Sequence, residues 1–166
     1  MSDTTEPFIL DTMNRGDIFN RLRQLKPEAL PVFGKMGPQH MVEHLIMIVR
    51  ISTEKTPEKL YYREEKAEKI KAFTIYSDKE IMVGFKAPMI PETPMPLVFS
   101  DLQSAIDQLK SELSDFDQFF KDYPLARPVN PTMGPLDHQE WIIFHNKHFT
   151  HHFKQFNLLN KANSST

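Results

Sequence analysis

The chain has no cysteine. That excludes disulfides, thiolate metal sites and cysteine nucleophiles, and it leaves histidine and carboxylate as the strong ligands. An excess of charge is missing as well. The formal net charge is −2, which gives no electrostatic footprint for nucleic acid or for an anionic membrane. Long apolar stretches are also absent: the longest run, Leu45 to Val49, falls far short of the roughly 20 residues that cross a bilayer. The first residues, MSDTTEPFILD, carry neither a basic n-region nor an apolar h-region, so no secretory signal is expected and the protein reads as cytoplasmic. There is no internal repeat. Ordinary hydrophobic content of 40% and charged content of 25% over 166 residues predict one domain with a single core, residues 1–166.

What the chain does have is histidine, concentrated near one end. Of seven histidines, His145, His148, His151 and His152 fall in the segment HNKHFTHHF, with His138 a little upstream. Histidine is the commonest neutral metal ligand and the side chain that titrates nearest physiological pH. The cluster is interleaved with Phe149 and Phe153, so it is no purification tag.

Apolar periodicity predicts four amphipathic helices, at about 11–26, 38–55, 101–122 and 138–160. Ile18, Phe19, Leu22 and Leu25 mark the first, and Pro27 and Pro31 follow it. The second opens on Gly37 and Pro38 with a Met36–Met41 staple. Its polar residues Glu43, Arg50 and Glu54 form one narrow stripe, so it should be buried on most sides. Ser100 or Asp101 caps the third, whose seam runs through Leu102, Ile106, Leu109, Leu113, Phe116 and Phe120. The fourth begins with a capping-box pair, Asp137 and Glu140, and a Leu136–Trp141 staple. Its outward face is expected to carry Ile143, Lys147, Thr150, Lys154 and Asn157. The insertion at residues 56–100 differs in character. Tyr61 to Phe73 reads as a short exposed helix, Ile81 to Lys86 as a strand, and APMIPETPMPL, with Pro88, Pro91, Pro94 and Pro96, as irregular chain that serves as a lid or a partner surface. The polar tail 161–166 reads as frayed. The fold class is therefore all-α, a four-helix bundle, and bundle interiors hold metal sites built from facing helices.

On a helical wheel with His148 at zero, His152 falls near 40°, His145 near 60° and His151 near −60°. His148 with His152 spans four residues, and His145 with His148 and His148 with His151 span three, so each of these pairs can share one ion. His145 and His152, roughly 10 Å apart, are poor partners. A third ligand must come from another helix, where His44 is best placed among Met41, Leu45 and Ile48. Against this stands the plainer reading of hydrogen-bonded core histidines without metal. The glutamate of H-E-x-x-H is missing, since Phe149 follows His148, and a zincin-type protease is not supported. His40, one turn before His44, reads as solvated or as a donor behind the ligands. His138 reads as exposed, Asp137 and Glu140 as capping, and the nine methionines as packing.

PVFGKMGPQHMVEHL and GPLDHQEWIIFHNKHFTHHFKQF together resemble the second and last helices of an uncharacterised branch of the DinB-like superfamily. They cover about a quarter of the chain, and RLRQLKPEALP fits loosely. Phe33 stands where that branch carries Trp. The resemblance implies a four-helix bundle, often dimeric, that holds a divalent metal ion (zinc, nickel or similar) through His44, His148 and His152. His145, His151 and His40 are then candidates to orient a ligand or shuttle a proton. Relatives in that superfamily include metal-dependent thiol transferases, isomerases and proteins with no known activity. The expectation is a metal-dependent enzyme, hydrolytic or thiol-transferring, acting on a small molecule, with a low-molecular-weight thiol as one partner. Three neutral ligands leave the +2 charge uncompensated, so an anion is favoured at the open position. The alternative is a non-catalytic bundle, a ligand-binding or stress-related interaction protein with a vestigial or absent metal.

Overall fold

The structure is a computed structural model, and it describes residues 7–160. The segments 1–6 and 161–166, including the tail expected to fray, lie outside the described residues. The architecture is all-α with one minimal sheet: α1 Arg15–Leu22, α2 Pro38–Ser52, α3 Glu64–Thr74, α4 Leu102–Asp122, β1 Val129–Asn130, β2 Gly134–Pro135 and α5 His138–Gln155. Among the described residues no helix is long and apolar enough to cross a membrane.

α1, α2 and α5 are shorter than their apolar period suggests, and local turns and caps explain most of it, while α4 matches its expected span. Asn14 accepts from the Asp17 amide and starts α1, while residues 11–14 form a turn closed by the Asn14 amide on the Asp11 carbonyl. α2 ends at Ser52 rather than near 55 because Glu54 turns left-handed, with φ 59°. The Lys55 amide then bonds back to the Arg50 carbonyl and the Glu54 amide to that of Ile51, a Schellman closure. α5 stops at Gln155 in the same way. Asn157 has φ 56°, the Leu158 amide returns to the Phe153 carbonyl at 2.8 Å, and Leu158 is buried. α4 is capped by Asp101 on the Ser104 amide at 2.7 Å. Asp137 and Glu140 exchange both bonds of a capping box, at 2.8 and 3.0 Å.

The core is one continuous cluster that runs from Ile18 and Leu22 through Leu45 and Val49 to Leu109, Phe116, Trp141, Phe149 and Phe153. α2 packs chiefly on α4 and also meets α5. Fully buried side chains of this size contribute about 1.5–3 kcal/mol each. Buried Glu112 ties α4 to α2, accepting from Arg50 at 2.8 Å and from Lys55 at 2.9 Å. Arg15 reaches Asp117 at 2.8 Å and the Leu113 carbonyl at 3.1 Å, holding α1 on α4.

Two local expectations are corrected. Residues 81–86 form no strand: turns follow Ile81, with the Phe85 amide on the Met82 carbonyl. Among the described residues the one sheet is the β1–β2 pair, and residues 81–86 do not join it. The small hairpin forms elsewhere, at β1–β2. Asn130 Oδ1 accepts from the Thr132 and Met133 amides and from the Thr132 hydroxyl, and Gly134 takes φ +81°. Finally, Lys147 and Thr150 are buried instead of facing solvent. The chain near residue 10 covers Thr150, whose Oγ1 accepts from the Leu10 amide at 2.9 Å. The stretch after α3 covers Lys147, whose Nζ donates to the Ser77 carbonyl at 2.8 Å.

Candidate metal centre

α2 and α5 face each other across the core and bring three imidazoles together. His44 Nε2 lies 3.0 Å from His148 Nε2, and His148 Nε2 lies 3.2 Å from His152 Nε2. The ligand-capable atoms of all three lie within 4.8 Å of one another. Nitrogens bound at 2.0–2.1 Å to one ion sit about 2.9 Å apart at right angles and about 3.3 Å apart in a tetrahedron. The two close spacings fall in that range, which is also the range of a hydrogen bond between imidazoles.

The neighbours fix how the rings present themselves. Gln155 donates through Nε2 to the Phe33 carbonyl at 3.0 Å, so its Oε1 must be the atom 3.0 Å from His152 Nδ1. An amide oxygen can only accept, so His152 carries its proton on Nδ1 and keeps a lone pair on Nε2. The close approach needs Gly34: φ is +77° there, and a Cβ would stand 3.0 Å from Gln155 Nε2. The Val32 amide also bonds the Gln155 carbonyl at 2.7 Å. His148 is held by stacking on Phe144, centroids 5.3 Å apart and 13° from parallel, and its Nδ1 is buried without a partner.

Burial keeps the set neutral. His44 is pushed down to about 4 by removal from water and by nearby His151. His148 is lowered well below the ordinary histidine value first by burial and then by His152 and His44, and His152 first by burial and then by His44. Neutral imidazole is the form that binds a cation.

The three rings open onto a cavity of about 840 Å³ between α2, α3, α5 and the irregular chain of residues 81–99. The fate of the other histidines divides cleanly. His40 and His151 both line this cavity. His40 Nδ1 accepts from the Gly37 amide at 3.3 Å and so helps close the start of α2. His151 is half-buried, with its ring 5.2 Å from Phe33 and 5.0 Å from His152, and burial lowers its pKa. His145 turns away from the cavity. Ser52 donates its hydroxyl proton to the Val49 carbonyl at 2.6 Å and so accepts from His145 Nε2 at 3.0 Å. His145 packs on Phe116 and Trp141 and is pushed down to about 3 by burial and then by Arg15. His138 is half-buried rather than exposed, stacked on Phe120 with centroids 4.4 Å apart.

The sequence reading missed the roles of Gln155 and Glu43. Glu43 lies on the polar stripe of α2, yet its carboxylate accepts from the Val98 amide at 2.6 Å and the Phe99 amide at 3.4 Å. Gln39 adds a bond to the Phe99 carbonyl at 2.8 Å. Together they fasten the end of the proline-rich segment beside His44. A polar residue one position before a candidate ligand was the available signal.

Comparison with known proteins gives one match: the family described as Protein of unknown function (DUF1569), over residues 5–158. No curated protein and no solved structure matches the chain.

Proposed function

The chain belongs to the DUF1569 family, and on that premise we propose that it is a divalent-metal protein that uses His44, His148 and His152 to act on a small molecule, as a thiol transferase or hydrolase. The observation that carries this reading is the convergence of three neutral Nε2 atoms at ligand spacing on the floor of a large cavity. With three protein ligands and no carboxylate or thiolate completing the set, coordination positions stay open, which suits a catalytic rather than a closed site. When bound, a divalent ion supplies Lewis acidity that activates water or a low-molecular-weight thiol as nucleophile. The thiol must come with the ligand, since the chain has no cysteine.

The residues around the set hold and orient. Gln155 keeps the His152 lone pair aimed inward, and Phe144 holds the plane of His148. His151, neutral and half-buried at the cavity wall, is placed to accept a proton there. The same reading takes α1, α2, α4 and α5 as a DinB-like four-helix bundle with α3 and the proline-rich chain as its insertion. A cytoplasmic homodimer is part of it.

One observation favours a second reading, a non-catalytic ligand-binding or stress-related interaction protein. The carboxylates lining the cavity are Glu43 and Glu92. The first is committed to backbone amides, and the second faces Lys86 at 3.9 Å. Neither is a buried carboxylate without partners, since Glu92 is largely exposed beside Lys86.

Protein purified without contact with nickel resin should carry close to one equivalent of metal by elemental analysis, and His148→Ala should carry none. A full equivalent in His148→Ala would defeat the ligand assignment. Thiol-conjugation and hydrolysis assays across several metals then separate the two readings, since silence in all of them with full metal favours the second.

A further inference from the structure

The composition of the cavity wall is uneven in a way that speaks to the ligand. Six methionines line it, Met36, Met47, Met82, Met89, Met95 and Met133, out of nine in the chain. Met41 and Met133 belong to the core and Met36, Met47 and Met89 pack against it, so four of the six wall methionines turn one side to the core and the other to the cavity. Met82 and Met95 are 66% and 44% exposed on irregular chain. Methionine is unbranched and polarisable, and surfaces rich in it adapt to apolar bodies of different shape. Exposed methionine and phenylalanine around a concavity carry a hydration cost that an apolar ligand removes.

Charge around the same cavity is one-sided. Lys35, Lys66 and Lys69 line it and make no ion pair among the described residues. Of its two acids, Glu43 is held by the Val98 and Phe99 amides and Glu92 stands exposed 3.9 Å from Lys86. At the floor, neutral imidazoles would leave the charge of a bound cation uncancelled.

We infer that the ligand of this cavity is an amphipathic anion, with a single small anionic head seated at the histidines and an apolar aliphatic or aromatic body against the methionine wall. The head half of this inference rests on the three-histidine metal reading. A volume of about 840 Å³ accommodates a drug-sized molecule, and the adaptable wall admits a range of bodies sharing one kind of head.

The test is calorimetric titration of zinc-loaded protein with butanoate, octanoate and dodecanoate, with octanol as the neutral counterpart of octanoate. Affinity should rise about fourfold per added methylene, and octanoate should bind at least about tenfold tighter than octanol. Chelator-treated protein should keep the chain-length dependence and lose most of the preference for the anion, keeping only the part that the lysines supply. Met82→Glu and Met95→Glu, both at exposed positions, should weaken dodecanoate while leaving zinc content at one equivalent. A flat chain-length series on protein carrying full zinc overturns this inference alone, and so does octanol matching octanoate on that protein. Failure to take up zinc overturns the metal reading and the head assignment together, while a surviving chain-length slope keeps the apolar wall.

Discussion

The two walls of the cavity are built on opposite plans. One is α2 and α5, regular helices whose inward residues sit in the core and whose ends are closed by caps. The other is residues 81–99, where the backbone bonds among described residues are two isolated turns, Phe85 to Met82 and Ile90 to Ala87. The candidate ligands stand on the first wall, where helix geometry sets their spacing to a fraction of an ångström. The second wall carries exposed Met82, Val83, Phe85 and Met95, whose positions little else constrains. Rigidity is placed where atoms must meet at fixed distance, and latitude where a ligand body has to be accommodated.

That contrast can be broken most severely at Leu45, fully buried in α2 beside His44. Leu45→Ala should cost about 2–5 kcal/mol in denaturant unfolding. Phe85→Ala, a larger deletion on the other wall, should change stability by no more than about 0.5 kcal/mol while weakening dodecanoate. Equal costs would mean that the irregular wall is as integral to the core as the helices.

Acid should attack the helical wall next. Burial raises the Glu140 pKa, but the Tyr76 hydroxyl at 2.5 Å, the Asp137 amide and Lys71 at 2.9 Å outweigh it and hold the group at about 2. Its unfolded-state value is near 4.5. The unfolded chain therefore takes up a proton that the folded one refuses, and this stability, complete above pH 4.5, drains away as pH falls toward 2. His145, held at about 3 against 6.5 unfolded, works in the same direction over pH 6.5 to 3. Thermal melts of Glu140→Gln against the parent should differ most at neutral pH and converge at the acid end. A gap independent of pH would remove Glu140 from this role.

The smallest effect is at the seam between the walls. Glu43→Ala removes the acceptor for the Val98 and Phe99 amides. Hydrogen exchange at those two amides should quicken by about an order of magnitude, with global stability lowered by about 1 kcal/mol. Unchanged exchange would show that the segment is fastened by other means.

Much of the helical frame was legible because caps and apolar period are local: Gly37–Pro38, Asp101 and Asp137–Glu140 act within four residues of where they stand. For the grouping of His44, His148 and His152, helix geometry offered the i, i+4 pair but left His145–His148 and His148–His151 open, and the family resemblance was what selected among them. What failed was set at long range. Lys147 and Thr150 look solvent-facing on a wheel, yet chain from residues 10 and 77 lies across them. His145 shares a face with His148, but only the position of Ser52 on α2 decides that its ring turns into the core. The left-handed residues Glu54 and Asn157 end their helices without the glycine that usually announces such an ending. The packing read for the methionines holds for Met36, Met41, Met47, Met89 and Met133, while composition could not say that Met82 and Met95 would stand exposed on the cavity wall.

Gln155 carries one further consequence. Its amide has two ends of nearly the same shape, and the Phe33 carbonyl dictates which of them meets His152. Were the loop at Gly34 to withdraw, the amide could turn by half a revolution and offer its nitrogen instead. The proton on His152 would then have to cross to the other side of the ring, and the electron pair now aimed at His148 would be gone. A single torsion in a neutral side chain thus determines whether this ring gives or receives, and a bend in the chain more than a hundred residues earlier determines the torsion.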